Sequence, residues 1–301
     1  MSMRLQYKLA SLKGIFRTIF TVKSLKLRVG MGILLALITI SFLEPIITYC
    51  RLGNINPYEM GLFEKLLPPS LKHPLGTDHY GRDFLSIFLI GLRNSLVVGF
   101  LGGSLSILIA IVVSFFAAYK GGLADIILNS FTNTFLVIPS WVILASVAVY
   151  TPKLNIITVS LLIAVFNWAG AARNLRSQIL SLKERAYVDL AKVSGASDME
   201  IIFKELMPNV LPYIIVGAAN AVIGSIFFET SIGIIGLGAT QYVSLGIIIY
   251  WFLTMGLIVQ GYYNIILPPV IALVLIFVSL NLINVGLDEI FNPRLKKITG
   301  L

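Results

Sequence analysis

Acidic residues are few in this sequence, 14 Asp and Glu against 23 Lys and Arg in 301 residues. Within the apolar runs they almost vanish. Glu44 lies toward the end of the first run, and Glu229 is the one acid well inside an apolar stretch. An ionisable group at a helix centre costs ~2.5–3.5 kcal/mol on insertion scales, so relays of such groups mark proton and ion pathways, and none is written here. Cysteine occurs once, as Cys50, which excludes an internal disulfide and any CxxC thiolate site. The two histidines, His73 and His79, flank Asp78 beside proline and glycine with no second cluster, so no metal site is expected. No Gly-Lys dipeptide occurs, and with it goes the GxxxxGK[ST] loop whose amides cradle a nucleotide phosphate. The chain is not its own ATPase of that type. Repeats of 20 to 50 residues and low-complexity tracts are also missing.

What remains is apolar. Hydrophobic residues make up 57% of the chain, charged residues 12%, and the mean hydropathy is +0.91. The fold class expected is all-α integral membrane, in one membrane domain. Six runs near or above the ~20 residues needed to cross ~30 Å of hydrocarbon lie at 29–49, 94–118, 126–150, 154–172, 211–237 and 263–287. A further run of 17 uncharged residues, 243–259, would rise only about 26 Å as a helix.

The net charge of +9 reads as topology rather than nucleic-acid binding, because the basic residues flank apolar runs instead of alternating with aromatics. Seven Lys and Arg fall in the first 28 residues, six in 173–210 (Arg173, Arg176, Lys183, Arg185, Lys192, Lys204), and Arg294, Lys296 and Lys297 in the tail. The positive-inside rule puts all three segments in the cytoplasm, which six spans satisfy and seven do not. The run at 243–259 is therefore expected as a re-entrant or interfacial helix on the outer side, with Gly246, Gly256 and Gly261 available for bends. The resulting division is a cytoplasmic basic arm (1–28), a first transmembrane helix (29–49), an extracellular loop (50–93), a transmembrane core (94–287) holding a polar loop at 173–210, and a cytoplasmic tail (288–301). The protein is expected in the cell membrane with both termini inside. Small residues such as Gly99, Gly103, Gly217 and Gly224 suit close packing of helix backbones.

Residues 184–197, ERAYVDLAKVSGAS, break the apolar pattern. Eight charges between Glu184 and Glu205 keep this segment in water. It is nonetheless patterned as helix: Tyr187, Leu190, Ala191 and Ser194 recur at helical spacing on one face, and Arg185, Asp189 and Lys192 share another. Gly195 is expected as a left-handed stop, and Ser197 with Glu200 as a capping box opening a second helix that runs toward Pro208. The structural alternative is an ordinary solvated loop. A helix, a sharp turn of small residues and a second helix favour a docking element.

Residues 186–212, AYVDLAKVSGASDMEIIFKELMPNVLP, resemble the cytoplasmic loop signature of binding-protein-dependent ATP-binding cassette importers. There an acidic-Ala-Ala triplet is followed by Gly and later by Leu-Pro; here the pattern reads Asp189-Leu190-Ala191, Gly195, then Met207-Pro208. HPLGTDHYGRDFLS at 73–86, ETSIGIIGLG at 229–238 and GLDEIFNPRLK at 286–296 are similar to permease subunits of the dipeptide, oligopeptide and nickel group. The resemblance implies a six-span permease whose partners are a second homologous permease, two cytoplasmic ATPase subunits, an extracellular solute-binding protein and membrane lipids, without nucleic acid. It gives Asp189, Ala191, Gly195, Ala196 and Ser197, with Tyr187 beside them, the role of docking the ATPase. No cofactor is implied in this chain; ATP and Mg belong to the partner subunits, and the chain is not an enzyme. Glu229 and Asn220 are candidate polar sites of the pathway or of the bundle. The leading cargo is oligopeptide, the alternatives within the class are oligosaccharide or nickel, and the rival class is a secondary carrier or channel.

Overall fold

The computed structural model describes residues 24–151, 155–237 and 242–291, which leaves outside it most of the basic arm, Gly238 and the basic tail with Arg294, Lys296 and Lys297. The described residues are helical apart from turns, loops and an isolated β-bridge between Thr77 and Asp83. In chain order the helices are α1 (Leu25–Phe42), α2 (Glu44–Leu52), α3 (Phe84–Lys120), α4 (Gly122–Val137), α5 (Ser140–Tyr150), α6 (Ile156–Asn167), α7 (Ala169–Lys183), α8 (Ala186–Val193), α9 (Asp198–Ile234), α10 (Leu245–Thr254) and α11 (Tyr263–Phe291). Four of these, α1, α3, α9 and α11, are long and apolar enough to cross a membrane; counting the bent pairs α4–α5 and α6–α7 as one span each brings the number to six.

Each departure from the expected runs has a local cause. The run at 29–49 divides at Leu43, because Pro45 in the first turn of α2 has no N–H for α1 to continue through. The run at 126–150 bends by 76° at Ile138–Pro139, where the proline holds its predecessor in extended backbone. The bend of 46° between α6 and α7 at Trp168 has no proline or glycine at the break. Helix α3 begins at Phe84, well before the apolar run read from 94, since Asp83 caps it by accepting the Ser86 N–H and Arg93 reaches Glu44 of α2 at 3.7 Å.

Helix α9 continues through Pro208 and Pro212 instead of stopping before them. Residues Ile201–Leu206 form a π-helical turn, with the Met207 N–H bonding to the Ile202 carbonyl. The ladder is thus already out of α register where Pro208 removes a donor. The unbroken helix of 37 residues rises about 55 Å.

At the centre, α3 packs along α9. A methyl group at Gly103 would stand 2.7 Å from the Val222 Cα, and one at Gly99 would meet the Ile226 side chain still more closely. These glycines let the two backbones approach. Helix α10, with 10 residues, rises about 15 Å and does not span. Positive φ at Gly256 and Gly261 carries the chain from it into α11.

Candidate functional site

The polar segment between α7 and α9 forms a closed turn. Gly195 adopts φ +79°, its N–H bonds to the Lys192 carbonyl and the Ala196 N–H to the Ala191 carbonyl. This pair of bonds ends α8 in a Schellman motif, which favours glycine at the left-handed position. Ser197 then caps α9: its hydroxyl accepts from the Glu200 N–H, and the Glu200 carboxylate accepts from the Ser197 N–H. A hydrogen bond from Lys204 holds the Glu200 carboxyl below its ordinary pKa.

The turn is fastened to the bundle from beneath. Val188 is buried, and Tyr187, Ala191 and Ala196 pack beside it on a core that includes Ile179, Ile201 and Leu206. The Tyr119 hydroxyl at the end of α3 donates to Asp198 at 2.8 Å, and Lys183 donates to the Ala118 carbonyl at 3.1 Å. Tyr187 lies against Asn209 of α9, whose amide donates to its hydroxyl at 3.4 Å. Burial and the nearby charge of Glu205 raise the Tyr187 phenol above its ordinary pKa.

The inward face is thus Tyr187, Val188 and Ala191, not the set with Leu190 and Ser194 that simple spacing suggests. Leu190, at 65% exposure, points outward with Val193 at 87% and Met199 at 62%. Asp189, Gly195 and Ser197 are exposed with them, and a methyl group at Gly195 would meet nothing within 4 Å. The turn therefore presents three apolar side chains that none of the described residues covers.

A cavity of about 1020 Å³ opens in the bundle, and both helix breaks face it. Phe135 and Ser140 flank the first break; Asn167, Ala169 and Gly170 flank the second. Asn209, Tyr213 and Asn220 of α9 and Asp288 of α11 complete the wall. Irregular backbone at membrane depth is tolerated where it lines such a space.

Glu229 belongs elsewhere. It is 3% exposed, accepts from the Ser95 hydroxyl at 3.0 Å, and the same Ser95 oxygen accepts from the Leu245 N–H at 3.1 Å. Asn94 donates to the Val243 carbonyl at 2.8 Å. A methyl group at Gly246 would lie 2.7 Å from the Thr230 carbonyl oxygen and 3.0 Å from the Gly233 Cα. These contacts clamp α10 onto α3 and α9.

Beyond α10, the loop between α2 and α3 is knotted by buried polar groups. Asp83 accepts from Arg51 at 2.6 Å and pairs with His73 at 2.9 Å, and the Ser86 hydroxyl joins it to Thr48 and so to Glu44. Burial would raise the Asp83 carboxyl, but the hydrogen bonds from Arg51, His73 and Ser86 outweigh it and hold the pKa below the ordinary value. Arg82 pairs with Asp78 and lies over the rings of Tyr80 and Trp251, which ties the loop to α10. Among the described residues no group of three or more His, Cys, Asp and Glu side chains is arranged to hold a metal ion.

Residues 110–297, from the middle of α3 to the tail, match the family described as binding-protein-dependent transport system inner membrane component. The chain belongs to this family. It is a multi-pass membrane component of a transport system rather than a catalytic subunit. The oligopeptide transport system permease protein OppC of Mycobacterium tuberculosis (strain ATCC 25618 / H37Rv) is 32% identical over 287 residues, 94% of this chain and 96% of the relative. The dipeptide transport system permease protein DppC of Bacillus subtilis (strain 168) is 31% identical over 270 residues, 89% of this chain and 82% of the relative. With OppC of Lactococcus lactis subsp. cremoris (strain SK11) the identity is 30% over 188 residues, 62% of this chain and 64% of the relative, so the chain spans just under two thirds of that relative's length.

Within this family member the expected residues fall into three places. Asp189, Gly195 and Ser197 stand on the exposed turn, whereas Tyr187, Ala191 and Ala196 support it from the inside. Asn220 lines the cavity, and Glu229 sits in the clamp on α10. Sequence reasoning missed Val193 and Met199, whose signal was apolar character at positions with no inward periodicity. It also missed Asn174 and Gln178 of the cavity wall, which are spaced i, i+4 on α7.

Proposed function

We propose that this chain is the membrane-spanning permease subunit of an ATP-driven importer for oligopeptides, and that the turn around Gly195 docks the ATPase that drives it. The observation that supports this reading most is the exposed apolar tip of Leu190, Val193 and Met199, carried on a turn with caps on both sides and left uncovered by the described residues. Exposed apolar patches on ordered elements mark interaction sites. The peptide-transport names of the relatives support the choice of cargo.

In this account the basic segments and both termini face the cytoplasm, and the loop of residues 53–83 faces outward. A second homologous permease closes the open side of the cavity, two ATPase subunits bind ATP and Mg beneath, and an extracellular solute-binding protein delivers cargo. Asp189 and Ser197 supply polar contacts at the rim of the dock, Gly195 gives its sharp angle, and Ala191, Ala196 and Tyr187 brace it. Nucleotide-driven closure of the ATPases moves the turn, and the unbroken α9 carries that displacement along the cavity wall toward the clamp on α10.

Affinity purification of the tagged chain from its native membrane tests the assignment: ATPase subunits are expected to co-purify, and peptide uptake by the chain without any ATPase would overturn it. Labelling of a Ser197→Cys variant in a Cys50→Ser background is expected from the cytoplasmic side alone. Labelling from the outer side would reverse the topology.

A further inference from the structure

The wall of the cavity has a charge pattern unlike that of the helices that build it. Helix α7 carries Arg173, Arg176 and Lys183, yet each is tied away from the opening: Arg173 donates to Asn133, Arg176 forms two bonds of 2.6 Å to Asp125, and Lys183 binds carbonyls at the end of α3. The face of the same helix that lines the cavity carries Asn174 and Gln178 instead. Asn167, Asn209 and Asn220 add three more primary amides. Among the described lining residues there is no Lys, Arg, His or Cys, and the single carboxylate is Asp288.

Among the described residues the side-chain amides of Asn174 and Gln178 make no hydrogen bond to the protein, so a donor and an acceptor of each face the opening. An amide side chain offers the same paired donor and acceptor as a peptide unit. A bare metal cation would need imidazole, thiolate or several carboxylates, and this wall supplies one carboxylate.

We infer that the Asn174–Gln178 face is a cargo-contact surface that reads peptide backbone and is indifferent to cargo charge. This rests on the permease reading above. Fixed charge in a narrow path of low dielectric either traps or repels charged cargo. Turning every cation of α7 onto α4 or α3 leaves this face uncharged and Asp288 of α11 as the one fixed charge among the described lining residues, so peptides of either sign meet the same amides on α7.

The test uses the complete reconstituted transporter, with its binding protein preloaded with Ala-Ala-Ala, Ala-Asp-Ala or Ala-Lys-Ala, and reads peptide taken up per ATP hydrolysed. The wild type is expected to move the three within about twofold of one another. The Asn174→Asp/Gln178→Glu double variant is expected to lower Ala-Asp-Ala about tenfold relative to Ala-Lys-Ala, and the Asn174→Lys/Gln178→Lys variant to reverse that preference. A purely structural role for this face would not invert the sign. Unchanged ratios in both variants, with stimulation of ATP hydrolysis intact, would overturn the inference and leave the permease reading standing. Uptake by the wild type that needs no ATPase would remove both.

Discussion

At its far end α9 is locked by contacts that leave no space, whereas at its basic end it begins in a turn whose outer surface is left open by the described residues. Gly233 and Gly246 meet backbone to backbone beside the bond between Glu229 and Ser95. Gly195, by contrast, has open space where a side chain would go. One glycine contact exists to exclude volume, the other to set an angle. The far end fixes α10 within the bundle, and the basic end leaves a rigid but unoccupied surface for another protein.

The contrast predicts opposite responses to the same kind of substitution. Gly246→Val must push α9 and α10 apart, and overpacking of this kind is expected to destabilise the protein by roughly 3 kcal/mol, read as a fall in thermal midpoint in detergent. At Gly195 the added Cβ has no neighbour within 4 Å among the described residues; the strain of Gly195→Val comes from φ +79° and is expected to lower stability by only ~1 kcal/mol while transport falls sharply. Equal losses of stability at the two positions would break the comparison.

Glu229→Leu is expected to come next, at about 2 kcal/mol, because it leaves the buried Ser95 hydroxyl without its acceptor; Glu229→Gln keeps an acceptor there and is expected to lose less. Neither is expected to alter cargo preference, which peptide competition assays check. At the basic end, Tyr119→Phe removes the hydroxyl that binds Asp198 and is expected to weaken hydrogen-exchange protection of 194–200 by about 1 kcal/mol.

A further effect is one of pH. Burial, reinforced by Arg82 and Lys65 and opposed by Asp78, lowers the pKa of His79 from 6.5 to about 4. Between these values the unfolded loop takes up a proton that the folded loop refuses, so stability falls as pH drops from about 6.5 to about 4 and is level outside that window. Protection factors of residues 73–83, taken relative to the intrinsic exchange rate at each pH, should fall as pH drops across that interval, and His79→Phe should flatten the response.

Helix type and most of the apolar runs were legible because hydrophobicity over ~20 residues is a strong signal. The turn was legible too, since Gly195 and the Ser197–Glu200 pair are local motifs whose bonds lie within a few residues. What failed depended on partners distant in sequence. Arg93 hid the early start of α3 because its partner Glu44 lies on another helix. The spacing that groups Leu190 with Tyr187 and Ala191 did not show which side of α8 faces in, since the floor beneath it is built from Ile179 and Leu206 of neighbouring segments. The run at 126–150 was read through Pro139 as one span, no proline marks the break at Trp168, and the cavity between the two breaks is visible only when both are folded.

The central claim is that the exposed tip receives the ATPase. Val193 is 87% exposed on the described chain, so Val193→Asp is expected to leave insertion, folding and thermal midpoint unchanged. In the reconstituted complex, ATP hydrolysis stimulated by the cargo-loaded binding protein is expected to fall at least about tenfold, as a buried charge in an apolar dock would require. Wild-type stimulation with Val193→Asp, in a complex of normal composition, would contradict the assignment of this turn as the dock.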